Sequence, residues 1–583
     1  MNDRWDLSFF YNGFDDPAFQ ADLNAIPAMV QDARALLEGE MDDLTRLEKL
    51  TDANEAIMAR VDNVSSFVSL TLAVDANNAA AAKYDDKLGL IYNELGLLDS
   101  AVTRFVGGLD NLEALIAASE KLQAGAFSLR ETAKQAQHLI PAEVEPWVLE
   151  MKLSGGTAFS QLRDKLDSNH TVNFRGEALP LPAVRGMAYD PDASVRKDAY
   201  EAEIASYKKM ELPMAYCLNS IKMEARTMAK AKGYASVLDM TLAQSRMDRQ
   251  TLDAMWTAIR EYLPDFRRYL RAKGEYLGHQ DGLPFYDLFA PVGSGTRTYT
   301  VEEAREKLVK EMGKFTPKMA AFIDNAFEQR WIDLYPREGK TGGAFCSSAH
   351  SHDRSLIMTN FQGSFSDVST LAHELGHAWH NRCLAGLPYA MIDTPMPLAE
   401  TASIFNETML AHQVLASASE EEQFTVLESS LMESTQTVVD IYSRFLFEAE
   451  VIDTRADHAM TVDELKDAML RAQDASYGDG LDRSVRHPYM WACKSHYYSS
   501  GYNFYNFPYA FGLLFGKGVF AQYLRKGDAF VDDYCRLLRS CGSGTIADVA
   551  ASVGIDVRSV DFWRSSLDIL KQDIDRFCQL CKR

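Results

Sequence analysis

The sequence predicts a mainly α-helical protein with a small β-sheet beside one central helix. Apolar residues recur at intervals of three and four along most of the chain, which is the period of helices that bury one face. Two capping boxes, Thr300-Val-Glu-Glu303 and Thr461-Val-Asp-Glu464, mark positions where helices begin. No internal repeat is visible, so a solenoid is not favoured.

The first half of the chain is expected to be helical with one break. Residues 21–137 have the pattern of long amphipathic helices with few prolines. Residues 171–180 alternate apolar positions around Gly176, which predicts a small β-hairpin. Helices are expected to resume at residue 193 and to continue to about 273.

The second half places two short strands before the central helix. Residues 339–346 and 356–361 are the predicted strands. A strand edge there could hold an extended peptide by main-chain hydrogen bonds, or the strands could form a purely structural hairpin. After residue 398 the chain is predicted to be helical nearly to its end, with an aromatic-rich interruption at 496–515.

Composition limits the classes of partner. A chain of 583 residues is too long to fold around a single compact core. Its composition, with 47% hydrophobic and 25% charged residues, is ordinary for a globular protein. A net charge of -23 argues against nucleic acid or an anionic membrane surface as the main partner. The N-terminus is polar, and no run of 18 apolar residues occurs. The eight cysteines are scattered, and Cys578-x-x-Cys581 is interpreted as a pair of free thiols, because no second pair stands at zinc-ribbon spacing. We therefore expect a cytoplasmic protein.

The central helix carries a metal-binding pattern, His373-Glu374-Leu-Gly-His377. Two histidines four residues apart lie one turn apart on one helix face, so both imidazoles can reach one metal ion. Glu374 lies on the adjoining face, from which it can take a proton from a metal-bound water. Ser366 or Asp367 is the expected N-cap of this helix.

A third ligand is needed, and Glu400 is the best candidate. A zinc-protease class with a third histidine six residues after His377 is disfavoured, because that position is Cys383. Pro397 stands near the start of a second helix, on which Glu400, Ser403 and Glu407 share a face.

Two histidines and one glutamate leave a fourth position open for water, as a catalytic zinc requires. Ser403 or Glu407 could orient the ligands, although Glu407 could equally be a solvated carboxylate. His380 is interpreted as a supporting or structural residue. A di-iron site is disfavoured, because a second Glu-x-x-His is not found.

Together these motifs resemble the thimet oligopeptidase and oligoendopeptidase F family of zinc peptidases, and most closely the oligoendopeptidase F branch. The resemblance rests first on His373–His380 followed by Glu400–Glu407. It is extended by Trp5-Asp-Leu, Tyr286-Asp-Leu-Phe-Ala-Pro291, Gly342-Gly-Ala-Phe-Cys346, Phe447-Glu448 and Tyr477-Gly-Asp479. It implies a large helical ellipsoid with a deep substrate channel, and an N-terminal helical domain at 1–190 before a catalytic domain at 191–583.

The same resemblance implies a histidine and tyrosines late in the chain that bind the substrate carbonyl and its developing negative charge. The matching stretch contains His496, Tyr502, Tyr505 and Tyr509. His496 and Tyr509 correspond best, whereas Tyr502 and Tyr505 compete for the second tyrosine role. Some of these aromatic residues are expected to serve core packing instead.

The expected activity is zinc-dependent hydrolysis of internal bonds in short unfolded peptides. One Zn²⁺ per chain would be held by His373, His377 and Glu400, with Glu374 as general base. Two alternatives stay open: a peptidyl-dipeptidase on the same fold, and a helical peptide-binding scaffold without catalysis. Neither the oligomeric state nor the cleavage preference is predicted by the sequence.

Overall fold

The fold is mainly α-helical, as predicted. A computed structural model describes residues 3–293 and 298–582, and 71% of the protein is helical. Both predicted capping boxes are present: the Thr300 and Thr461 hydroxyls accept from the backbone N–H groups of Glu303 and Glu464. These reciprocal bonds satisfy backbone donors that the first helical turn leaves without partners.

The α-helices are numbered in chain order. The first thirteen are α1 Pro17–Glu38, α2 Asp43–Val74, α3 Ala79–Gly107, α4 Leu112–Ala118, α5 Glu120–Ala124, α6 Ala126–Ala136, α7 Glu145–Ser154, α8 Gly156–Ser168, α9 Leu181–Gly186, α10 Ala193–Ser206, α11 Glu211–Ala231, α12 Val237–Gln244 and α13 Arg249–Tyr276. The next thirteen are α14 Val301–Gly313, α15 Pro317–Glu328, α16 Phe365–Leu384, α17 Met396–Ala399, α18 Thr401–Leu415, α19 Glu420–Thr435, α20 Ile441–Thr454, α21 Val462–Tyr477, α22 Met490–Cys493, α23 Phe507–Lys526, α24 Val531–Arg539, α25 Ile546–Ala551 and α26 Val560–Leu580. A π-helical segment, Gln436–Asp440, joins α19 to α20.

The predicted hairpin at 171–180 is present. Strand β1 (Thr171–Phe174) pairs antiparallel with β2 (Glu177–Pro180). Arg175 and Gly176 form the turn with φ values of 50° and 89°. Glycine adopts this left-handed conformation without a steric penalty, which is why the turn falls at Gly176.

A three-stranded sheet lies beside α16. Strands β3 (Ile332–Asp333) and β4 (Phe345–Ala349) flank the central strand β5 (Arg354–Met358); β3 runs parallel to β5, and β4 runs antiparallel. The side chain of Asn381 on α16 donates to the Ser355 hydroxyl of β5 at 3.1 Å. The small sheet predicted beside the central helix is therefore confirmed, although β4 begins at Phe345, after a loop with Gly343 at positive φ.

The chain divides into two compact units that are interleaved in sequence. The first unit comprises Met1–Leu139, Thr296–Gln413 and Gln522–Gly554, and the second comprises Ile140–Gly295, Val414–Ala521 and Ile555–Arg583. The division into functional domains at 1–190 and 191–583 stays a prediction.

Helix α2 contributes to the core of the first unit. Its buried residues Ile57, Val61 and Phe67 pack with α1 and with Leu356 and Met358 of β5 in one apolar cluster. By length and composition alone α2 could also cross a membrane, but a single core helix often passes this test, so the observation is weak.

Candidate metal centre and associated residues

Helix α16 carries the metal-binding pattern and is capped earlier than predicted. Ser364 is its N-cap: the Ser364 hydroxyl accepts from Asp367 N–H at 3.1 Å, and the Asp367 carboxylate accepts from Ser364 N–H at 2.9 Å. The expected N-cap at Ser366 or Asp367 is therefore wrong, because Asp367 is the reciprocal partner in a capping box and not the cap itself. The helix ends at Leu384, and Gly386 follows with a φ of 73°.

Gly376 lets helix α18 approach α16 closely. A Cβ atom at Gly376 would lie 2.5 Å from Ala402 O and 2.6 Å from Ser403 Cα, distances that real Cβ atoms do not show. Asn406 of α18 also bonds to α16, since its side-chain NH₂ donates to Ala372 O at 3.2 Å. Gly376, which lies between the two histidines, therefore permits α18 to cross close to α16. This crossing brings the carboxylates of Glu400 and Glu407 to His373 and His377.

The three predicted ligand atoms converge at one point. His373 Nε2 and His377 Nε2 lie 3.1 Å apart, and each lies 3.3 Å from Glu400 Oε2. A tetrahedral zinc ion with bonds of about 2.0–2.1 Å separates neighbouring ligand atoms by about 3.3–3.4 Å. These three residues are called the triad below. The distances between their three donor atoms are thus close to the distances expected between three ligand atoms of one tetrahedral zinc ion.

The donor set also fits a cation chemically. Glu407 Oε1 lies 2.8 Å from His373 Nδ1, so a proton on Nδ1 leaves a lone pair on Nε2 for a metal. Two imidazole nitrogens and a carboxylate oxygen then face one another, and a positive ion between them satisfies all three acceptors. Two histidines and one glutamate with an open fourth position form a typical catalytic zinc donor set.

Ser403 and Glu407 each hold one member of the triad. The Ser403 hydroxyl donates to Glu400 Oε2 at 2.8 Å, which holds that carboxylate towards the histidines. Glu407 holds the ring of His373 through Nδ1. Glu407 is thus not the solvated carboxylate that the sequence left as an alternative.

The charges of the triad are strongly coupled. Burial alone would lower the pKa of His373, but its hydrogen bonds to Glu400 and Glu407 raise it well above the ordinary value. Burial alone would raise the pKa of Glu400, yet His373 and His377 hold it far below the usual range. Glu400 is therefore a carboxylate and not a carboxylic acid at neutral pH, as a metal ligand must be.

Glu374 lies beside the triad and is positioned to exchange protons. Its side chain is buried, and Oε2 has no hydrogen-bond partner among the described residues. Burial raises the pKa of Glu374 above its usual value, against the opposing influence of His373 and His377. A carboxylate with an unused buried oxygen and a raised pKa is suited to accept a proton from water and to release it again.

His380 takes no part in the triad. Its ring is buried and its Nε2 lies 3.1 Å from Leu538 O on α24, so it bonds α16 to its neighbour. Burial, helped by nearby His377, lowers the pKa of His380 to about 4. The structural interpretation of His380 agrees with this position.

The late histidine and tyrosines form an aromatic group within the second unit. The Tyr505 ring lies 5.3 Å from His496, 5.3 Å from Tyr502 and 5.9 Å from Tyr509. The Tyr502 hydroxyl is hydrogen-bonded to Ser245 Oγ at 2.6 Å. Burial, together with nearby Arg444 and Lys494, lowers the pKa of His496 to about 4, so its ring is neutral at pH 7.

A buried ion pair that we did not predict holds the loop between these tyrosines. Lys222 Nζ lies 2.7 Å from Glu448 Oε1 and 3.0 Å from Asn503 Oδ1. Glu448 also accepts from Phe504 N–H and from the Asn506 side chain, both at 2.9 Å. Lys222 and Glu448 are fully buried. The Phe447-Glu448 motif drew attention to the acid, but the sequence offered no sign that Lys222 is its partner.

Comparison with known proteins identifies the family. The model of peptidase family M3 matches residues 186–569. The oligopeptidase PepF of Bacillus subtilis is 22% identical over 99% of this chain and 87% of its own length, and an oligoendopeptidase F homolog of Lactococcus lactis is 23% identical over 99% and 97%.

Solved structures agree in fold. A structure from Chlamydophila abortus superposes with a TM-score of 0.85 at 22% identity, covering 99% of this chain and 98% of the other. Oligoendopeptidase F from Enterococcus faecium gives a TM-score of 0.73 at 17% identity, covering 97% and 99%. The match of the family model over about two thirds of the chain shows that the protein belongs to peptidase family M3.

Proposed function

We propose that this metallopeptidase is a zinc-dependent endopeptidase that cleaves internal bonds of short, unfolded oligopeptides. The observation that carries the proposal is the convergence of His373, His377 and Glu400 on one point, with Glu374 beside it. One Zn²⁺ per chain would be held by these three ligands. The oligopeptidase names of several relatives support the substrate class.

The chain's own residues supply the proton transfers. Zinc at the triad would supply Lewis acidity, which polarises the scissile carbonyl and lowers the pKa of water to about 7. Glu374 accepts a proton from the attacking water and then passes it to the leaving amine nitrogen. Its buried Oε2 supports this role, because no described residue is hydrogen-bonded to that oxygen.

His496 and the tyrosines are proposed to bind the reacting carbonyl. A neutral imidazole keeps one N–H for donation, and the Nδ1 atom of His496 is buried without a hydrogen-bond partner among the described residues. Tyr509 is proposed as the first tyrosine donor, and Tyr505 is favoured over Tyr502 for the second, because the Tyr502 hydroxyl is already engaged by Ser245. A single donor of this kind is typically worth about 3–4 kcal/mol of barrier.

The surroundings support a peptide substrate in a reducing compartment. Among the described strands β4 pairs only with β5, so its other edge offers main-chain groups to an extended peptide. All eight cysteines lie in the described part of the chain and are free thiols, which supports a cytoplasmic location. The net charge of -23 supports the absence of nucleic acid or anionic membrane among the partners.

Mass spectrometry of a mixed oligopeptide pool tests the proposal. The zinc-loaded protein should produce internal cuts, and Glu374→Gln should keep zinc but lose nearly all turnover. Tyr509→Phe should keep zinc and cleave about 100- to 1000-fold more slowly.

The other outcomes lead to different functions. Release of only C-terminal dipeptides would make the protein a peptidyl-dipeptidase. If the protein binds both zinc and peptide but cleaves nothing, it would be a peptide-binding scaffold without catalysis. Wild-type turnover in Glu374→Gln would show that another group is the general base.

A further inference from the structure

The second unit contains a cavity that the proposed mechanism does not use. It has a volume of about 310 Å³ and is lined by residues of α9 and α10 and by the loops around 285–289 and 487–494. This is within the size range of small-ligand pockets, about 300–1,000 Å³. Five aromatic side chains form its walls: Tyr189, Tyr200, Phe285, Tyr286 and Phe289.

The two arginines at this cavity are neutralised by buried acids. Arg196 Nε lies 2.7 Å from Asp287 Oδ1, and both side chains are almost completely buried. The second, Arg185, lies 2.6 Å from Glu203 Oε1. Glu203 also accepts from the Tyr207 hydroxyl at 2.8 Å. These acids are therefore committed to their own partners.

Lys494 is the exception among the cations that line the cavity. It follows α22 and lines the same cavity, and no carboxylate of the described residues lies within ion-pairing distance of its Nζ. Asp440 is the acid that acts on it electrostatically, but Asp440 is bonded to Arg444 at 2.7 Å. Burial lowers the pKa of Lys494, which is the expected response of an ammonium group without a counter-ion.

We propose that this cavity is a substrate subsite in which Lys494 binds a carboxylate of the peptide. The Lys494 side chain is half-buried at this cavity, and a cation that is partly removed from water without a protein partner gains stability when a ligand supplies the opposite charge. One ammonium group matches one carboxylate, whereas phosphate recognition typically uses several cations or an arginine fork. The aromatic walls would contact the apolar part of the residue that carries the carboxylate.

The position of Lys494 connects the cavity with the proposed reaction. Lys494 precedes His496 by two residues, in the same unit, so the Cα atoms of the two residues lie within about 7 Å of each other. The carboxylate could come from an acidic side chain or from the peptide's free C-terminus. The inference rests on the proposed function in one respect, namely that the bound molecule is a peptide.

Binding measurements on a cleavage-deficient background test the inference separately from catalysis. The full-length protein with Glu374→Gln would be titrated with three forms of one peptide. The neutral reference contains Gln and has an amidated C-terminus, and the second form is the same peptide with a free C-terminal carboxylate. The third form is a set of amidated peptides in which a single Glu is placed at each position in turn. At least one carboxylate form should bind about 10- to 100-fold more tightly than the neutral peptide, as expected for a charge-assisted hydrogen bond.

Variants then assign the preference to Lys494. Lys494→Met should abolish the preference, and Lys494→Arg should restore most of it. Lys230→Met, which removes an exposed lysine of α11, is the matched control and should leave the preference unchanged. Far-UV circular dichroism and the Tm should show that Lys494→Met folds normally, because the half-buried ammonium group that it removes has no ion-pair partner among the described residues.

The outcomes separate the two proposals. Equal binding of all three peptide forms, or a preference that survives Lys494→Met, would overturn the carboxylate subsite. The two proposals can also fail separately. If the carboxylate preference depends on Lys494 but the zinc-loaded protein with Glu374 intact cleaves no peptide, the subsite is supported and the endopeptidase proposal is removed. The free-acid and Glu-containing forms show which source of carboxylate is recognised.

Discussion

The substitution Gly376→Ala should weaken metal binding without removing any ligand. The added Cβ would lie 2.5 Å from Ala402 O, whereas ordinary contact begins at about 3.4 Å, so α16 and α18 must separate locally by about 0.9 Å. Such a shift would lengthen the 3.3 Å distances from the histidines to Glu400 well beyond the tolerance of a metal site, about 0.2 Å.

The magnitude can be bounded from known effects. Disturbing a residue that only supports a ligand typically costs about 10- to 100-fold in metal affinity, so displacing a ligand itself should cost at least about 100-fold. The free energy of unfolding without metal should change little, because overpacking costs about 1–3 kcal/mol while replacing a helical glycine returns about 1 kcal/mol.

The assay is competitive zinc binding against a chelator, with urea unfolding of the metal-free protein in parallel. Gly96→Ala is the matched control, since Gly96 is exposed on α3 and no atom lies within 4 Å of the position that its Cβ would take. This control should leave zinc affinity unchanged. Zinc affinity equal to wild type in Gly376→Ala would refute the idea that close crossing at Gly376 positions Glu400.

Three further predictions concern the surroundings of the site. Glu407→Gln should weaken zinc binding about 10- to 100-fold, because the carboxylate on His373 Nδ1 is lost; unchanged zinc affinity would show that Glu407 does not orient the ring. His380→Gln should flatten the pH dependence of the free energy of unfolding. The pKa of His380 is about 4 in the folded protein and 6.5 ordinarily. Below pH 6.5 the unfolded chain therefore binds a proton that the folded chain does not, and the stability of the wild type falls. The loss between pH 7 and pH 5, measured by urea unfolding, should be about 2 kcal/mol smaller in the variant, and an equal loss in both proteins would contradict the cause. Glu448→Gln should lower the free energy of unfolding by about 3–5 kcal/mol, since it leaves buried Lys222 without its counter-charge, whereas the control Glu450→Gln on the same helix breaks only an exposed pair and should cost about 1 kcal/mol or less.

The sequence predicted those parts of the fold that depend on neighbouring residues. The hairpin at 171–180 and the capping boxes at Thr300 and Thr461 formed as expected, because turn and cap chemistry is local. The N-cap of α16 was placed wrongly for a local reason too: Ser364, Ser366 and Asp367 can all cap a helix, and only the folded chain shows which side chain accepts the bond.

The sequence by itself determined that His373 and His377 lie on one helix face, since helix geometry fixes the effect of a spacing of four. It also pointed to Glu400 as the expected partner, but not to how Glu400 and Glu407 divide their roles. That division depends on where α18 crosses α16 at Gly376, so that Glu400 reaches both Nε2 atoms and Glu407 reaches Nδ1.

The long-range charges likewise depended on the tertiary structure. Lys222 and Glu448 are 226 residues apart in sequence, and their pairing in the core cannot be read from either segment alone. The same is true of Lys494, because whether a lysine has a counter-ion depends on every element packed around it. Helix periods and caps are set by adjacent residues, whereas burial and pairing are set by the packing of distant segments.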